Sequence, residues 1–205
     1  FNGSYAELEA LAGPVAPCPT IPDIGATIEV TSRCFRLSGP RQYWRREMGG
    51  YNGSHYYWTH ATDNDEPVSS ARWLLDFEVS GTYDIEIHST AGAAETQQAP
   101  YTIQAGSDTI SVSVDQSVAS GWASLGRFDF EAGTEQWVRV DDNSGEPNAD
   151  DVRIVADAIR IVPVNVTLPD SGVEADAGVE ADAGVEAADM MAPAQMLEGG
   201  ALPTG

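Results

Sequence analysis

Lysine is missing from this chain. All ten basic residues are Arg, set against 32 Asp and Glu, for a formal charge of −22. Nucleic acid is excluded as a partner, because phosphate binding needs clustered positive charge. Anionic membrane surfaces and other polyanions are disfavoured for the same reason. No run approaches about 18 consecutive apolar residues, so no membrane span is expected. The three His, at 55, 60 and 88, are scattered, and neither Cys sits in a CxxC pair. No metal site is therefore expected. There is no GxSxG elbow and no activated-looking Cys, and no two carboxylates stand out from the many. No catalytic residue and no cofactor are assigned.

Cysteine occurs twice, at Cys18 and Cys34. An even count at this spacing fits one disulfide, which stabilises by about 3 kcal/mol through loop closure and implies an oxidising compartment. Two buried free thiols are the alternative. The chain opens at Phe1 without a signal-like apolar run and is read as part of a longer precursor.

Three regions follow from composition. Residues 1–25 combine a short run of helix formers, "YAELEALA", with four Pro between positions 14 and 22, a Pro-rich linker. Residues 26–164 change to a period of two. "SARWLLDFEV" puts Ala71, Trp73, Leu75, Phe77 and Val79 on one face. "GTYDIEIHS" puts Tyr83, Ile85 and Ile87 opposite Asp84, Glu86 and His88. "DTISVSVDQ" alternates likewise, and "EQWVRV" and "VRIVADAIRIVPV" continue the pattern. About nine strands separated by turn signals, with no helical period, predict an all-β, antiparallel, jelly-roll-like sandwich. Residues 165–205 carry the unit GVEADA at 172, 178 and, imperfectly, 184. Ala, Gly and acids cannot build a core, so a disordered acidic tail is expected.

Two loops gather hard oxygen ligands, "DNDE" at 63–66 and "DDNSGEPNADD" at 141–151. Neither has EF-hand spacing, and "DNSGEP" is good turn chemistry. A structural turn is the expected role and a Ca²⁺ site the alternative. The stretch from Tyr43 to Glu66 holds six of the twelve Tyr and Trp residues. Tyr43, Trp44, Tyr51, Tyr56, Tyr57 and Trp58 supply rings that stack on sugars, while Arg45, Arg46, Asn52 and Asp63 supply polar partners. Alternation in "SHYYWTH" sends Tyr56 and Trp58 one way and Tyr57 the other, so half of these rings belong to a core. The ligand contacts assigned are Tyr43, Trp44, Arg45, Arg46, Tyr51, Asn52 and Tyr57.

The order of short strings resembles the golvesin C-terminal-like domain, also seen in xanthan-lyase-type proteins. The strings are "GYNGSHYYWT", "SGTYDIEIHS", "APYTIQAGSDTISVSVDQ", "GWASLGRFDFEAG" and "VRIVADAIRIVP", together covering about Cys34 to Pro163. The start "CFRLSGPRQYWRR" is similar to a variant that follows peptidoglycan amidase domains in secreted bacterial proteins. The resemblance implies a β-sandwich without catalysis, secreted or at the cell surface, which binds a glycan such as peptidoglycan for an attached upstream hydrolase. It transfers no binding residues. Two alternatives stay open. One is a spacer or adhesion domain without a small ligand. The other is a fragment of a precursor named for an upstream N-acetylmuramoyl-L-alanine amidase.

Overall fold

The computed structural model describes residues 17–166. The expected helix at 5–12, the first part of the linker and the GVEADA tail lie outside the described residues. The chain forms twelve strands: β1 (Ala26–Glu29), β2 (Phe35–Ser38), β3 (Arg45–Met48), β4 (His55–His60), β5 (Ser70–Phe77), β6 (Gly81–Ser89), β7 (Ala99–Ala105), β8 (Asp108–Val114), β9 (Gly121–Phe130), β10 (Gly133–Asp141), β11 (Arg153–Ala156) and β12 (Ala158–Val166). Among the described residues no helix is long and apolar enough to cross a membrane.

The strands make an antiparallel β-sandwich. A four-stranded sheet runs β1-β12-β6-β9, a five-stranded sheet runs β2-β5-β10-β7-β8, and a three-stranded sheet runs β11-β4-β3. Alternation delivers the core as expected. Ala71, Trp73, Leu75 and Phe77 of β5 are buried, as are Tyr83, Ile85 and Ile87 of β6. They meet Tyr101, Ile103, Val138, Ile159 and Ile161 in one cluster. Each large side chain so buried contributes about 1.5–3 kcal/mol. Phe77 sits 4.6 Å from Phe130 and 4.7 Å from Tyr83, ring to ring. The Tyr83 hydroxyl donates to the Val79 carbonyl, so this buried polar tip has its partner.

Twelve strands replace the expected nine for local reasons. β2, β3 and β11 are four residues long and offer too few alternations to read, and β3 is exposed at every position. "VRIVADAIRIVPV" reads as one strand but is two, β11 and β12, parted at Asp157. The end of the Pro-rich linker is also more than a linker. Ile21 is 2% exposed, its N–H donates to the Asp76 carbonyl, and its carbonyl accepts from the Glu78 N–H. Cys18 and Cys34 are disulfide-bonded, with Cα atoms 5.1 Å apart, and tie this segment to the start of β2.

Candidate functional site

The three-stranded sheet has two unlike faces, because β4 alternates. His55, Tyr57 and Thr59 point one way; Tyr56, Trp58 and His60 point the other. Tyr57 stacks on Phe35 of the main core, with ring centroids 5.9 Å apart, so one face of its ring is occupied. Tyr56 is buried with Val155, Ala93 and Ala94 in a second, smaller cluster, and Trp58 packs at its rim.

At the His60 end of β4 lies a depression of about 380 Å³, lined among others by Tyr43, Arg45, His60, Thr62, Asn64 and Asp151. A shallower depression of about 500 Å³ adjoins it through His60 and Asp151 and is bounded by Trp58, Glu47, Glu95 and Arg153. Antiparallel pairing assembles the rim. Arg45 lies opposite Trp58, and Arg153 lies opposite His60. The Arg45 and Arg153 guanidinium carbons stand 5.6 and 5.2 Å from the Trp58 ring centre. His60 meets the same ring edge-on at 5.2 Å. The Trp58 indole N–H and the Tyr56 hydroxyl donate to the two oxygens of Glu47, at 2.9 and 2.7 Å. These bonds, that from Tyr56 foremost, hold the Glu47 carboxyl below the ordinary carboxylate range. The reverse effect, with burial as the larger cause, raises Tyr56 to about 12.

Two polar atoms here have no protein partner although both are buried: His60 Nδ1 and Thr62 Oγ1. The nearest acid to the first, Asp151 Oδ1, is 3.9 Å away, beyond hydrogen-bond reach. Their backbone is fixed. The Ala61 N–H donates to the Val152 carbonyl at 2.8 Å and the Thr62 N–H to the Asp142 carbonyl at 2.7 Å. The depression therefore presents a held, unsatisfied donor–acceptor pair beside an aromatic ring.

Two acids of the 141–151 loop spend their oxygens on the protein. Asp142 accepts from the backbone N–H groups of Val68 and Ser69, at 2.9 and 2.8 Å. Burial pushes its carboxyl up against the pull of those amides. Burial also pushes Glu146 up, but donors from Thr96, Gln97 and Ser144 hold it below the ordinary range. Among the described residues no three His, Cys, Asp or Glu side chains converge as a metal site.

A second node forms around Asp157, whose side chain is 1% exposed. It accepts from the Tyr51 N–H, 3.0 and 3.1 Å from its two oxygens, and lies 2.6 Å from His88 Nδ1. The rings of Tyr51, His88 and Trp122 meet edge-on with centroids 5.0 to 5.3 Å apart. A Cβ on Gly50 would stand 2.8 Å from Asp157 Oδ1, so only Gly lets the loop approach this closely. "GYNGS", "GTYDIEIHS", "GWASLG" and "VADAIR" thus each send one residue to the same point.

The seven expected contact residues divide three ways. Tyr43 and Arg45 reach the depression. Trp44 packs partly on the main core, its indole N–H donating to the Ser38 carbonyl, and Arg46 pairs opposite the core-facing Tyr57. Tyr51 belongs to the Asp157 node, and Asn52, with φ of +53°, holds its turn with the amide 3.5 Å from Glu29. His60, Thr62 and Asp151 join them there, while Trp58 and Arg153 line the adjoining depression that shares His60 and Asp151. The sequence signalled only that Trp58 shares a face with Tyr56.

The Golvesin C-terminal domain model matches residues 37–163. Among solved structures, a xanthan lyase from Paenibacillus superposes with a TM-score of 0.57 at 18% identity, covering 69% of this chain; the chain spans only 13% of that enzyme. A CBM35 from Cellvibrio japonicus gives 0.47 at 17% identity, over 70% of this chain and 96% of that one. The C-terminal CBM6 of a marine laminarinase from Zobellia galactanivorans gives 0.45 at 17%, over 67% and 98%. No curated protein matches the chain.

Proposed function

The chain belongs to the Golvesin C-terminal domain family, and from that membership we propose a non-catalytic accessory module that binds a glycan in the depression beside Trp58. One observation carries the reading: His60 Nδ1 and Thr62 Oγ1 are buried, fixed and unpartnered. Leaving such a group unpaired costs about 1–3 kcal/mol. A hydroxyl-rich ligand that reaches into the hollow supplies the missing partners. Arg45, Asn64 and Asp151 add donors and acceptors around the same hollow. Trp58 and Tyr43 offer apolar ring surface against the C–H faces of a sugar, the division of labour found in ligand pockets. A module of this kind holds an attached hydrolase at its polymer. A peptidoglycan amidase is the first candidate, on the resemblance of the "CFRLSGPRQYWRR" start. The Cys18–Cys34 disulfide suits a secreted or cell-surface setting.

The test is a pull-down of the purified chain on immobilised peptidoglycan, chitin, cellulose and xanthan, with Trp58→Ala and His60→Ala alongside. Retention by one polymer, reduced at least about tenfold in variants that keep the wild-type circular dichroism spectrum, is the expected result. No retention on any polymer would leave the spacer reading standing instead.

A further inference from the structure

The outer face of the five-stranded sheet carries a second feature, which shares no lining residue with the depression. Register alone builds it. Arg36 of β2 pairs opposite Arg72 of β5, and Arg72 pairs opposite Arg139 of β10. Three of the chain's ten bases therefore stand in one row across three adjacent strands, in a molecule where acids outnumber bases by 32 to 10. With strands about 4.8 Å apart, the row spans roughly 10 Å. Like charges placed directly opposite one another destabilise a sheet, so the arrangement opposes stability.

The surroundings only partly relieve it. Arg139 is bound to Asp141, Nε at 3.0 Å and the terminal nitrogen at 2.8 Å from Oδ2. Arg72 lies over the Trp137 ring at 4.5 Å, and Arg139 lies 5.3 Å from the same ring. Arg36 donates to the backbone carbonyls of Arg33 and Phe35. Among the described residues neither Arg36 nor Arg72 forms a direct ion pair, although Arg72 lies near enough to Asp141 to help hold its carboxyl down. Between them is a hollow of about 210 Å³ lined by Arg36, Ser38, Ser70, Arg72 and Leu74.

We propose that this row is a second binding surface, selective for anionic glycans whose sugars carry carboxylates. The guanidinium fork matches a carboxylate with two parallel hydrogen bonds. Ser38 and Ser70 are placed for ring hydroxyls, and Leu74 for an apolar sugar face. A uronate chain carries one charge per sugar with hydroxyls between, which suits charged forks flanked by Ser. The −22 charge of the whole chain opposes every polyanion, and most of all the denser charge of a polyphosphate, which has no ring hydroxyls for the two Ser. The surface shares no lining residue with the Trp58 depression, and its failure leaves that reading untouched.

The experiment measures binding of the full chain to a galacturonate hexamer by calorimetry at low and moderate salt. The fully methyl-esterified hexamer and polyglutamate serve as comparison ligands, and Arg36→Gln/Arg72→Gln and Trp58→Ala as comparison variants. The expected result is acid hexamer bound at least about tenfold tighter than ester, weakening with salt. The Arg36→Gln/Arg72→Gln variant should lose at least about tenfold affinity with its melting temperature unchanged or raised, since like-charge repulsion is removed. Trp58→Ala should bind as wild type. Equal affinity for acid and ester, no binding of the acid at low salt, or full affinity in the Arg variant overturns the proposal. So does loss of binding in Trp58→Ala, which moves the ligand to the depression. Equal binding of polyglutamate overturns the assignment to glycans.

Discussion

The Asp157 node and the Trp58 depression stand at opposite limits of polar satisfaction. At Asp157 both carboxylate oxygens have donors, and three rings close over the site. At the depression two buried polar atoms have none, and the aromatic ring lies at an open rim. The first arrangement is what a joint needs: it clamps the GGYNGS loop to the break between β11 and β12. The second is what a ligand needs, because an unpaired buried group has something left to gain. Aromatic density along the chain does not distinguish them. Tyr51 and Trp58 sit in the same aromatic stretch, seven positions apart, and end in opposite roles.

The largest way to break this contrast is Asp157→Ala. It strips His88 Nδ1 and the Tyr51 N–H of their buried partner, so a loss of about 3–5 kcal/mol is expected. For a domain of this size that lowers the melting temperature by roughly 10 °C, readable by calorimetry. Thr62→Val in the depression removes a buried hydroxyl that bonds to nothing and should stabilise the fold, by up to about 1–3 kcal/mol. Equal losses in the two variants would show that both regions are structural.

A smaller effect probes the buried cluster against which Trp58 packs. Tyr56 is raised from 10.0 to about 12, by burial first and by its hydrogen bond to Glu47 second. Between those values the folded chain keeps a proton that the unfolded chain releases. The contribution is complete below pH 10 and is lost as pH rises to about 12. Urea midpoints should therefore fall from pH 9.5 to 11.5, and fall less in Tyr56→Phe. An identical fall in both would place the Tyr56 hydroxyl in contact with solvent.

How legible the two regions were follows from range. Period-two alternation named Trp73, Phe77, Tyr83, Ile85 and Ile87 as core, since burial of alternate residues is a local property of a strand. It also split Tyr57 from Tyr56 and Trp58. The strings around Tyr51, His88, Trp122 and Asp157 carried the family resemblance, but not their convergence; Tyr51 and Asp157 are 106 positions apart. The depression was illegible for the same reason. Arg153 reaches His60 only through β11–β4 pairing, and four-residue strands leave almost no periodic signal. Arg36, Arg72 and Arg139 each occupy an outward position on their strand, yet only the register of three strands makes them a row.

The central claim is that ligand meets the depression and not the node. The five Trp indole N–H groups report it directly in a ¹⁵N-labelled sample titrated with a soluble oligosaccharide of whichever polymer retains the chain. The account predicts that the Trp58 indole resonance shifts with ligand while that of Trp122 stays in place. A shift at Trp122 with Trp58 unmoved would contradict it and make the Asp157 node the binding site.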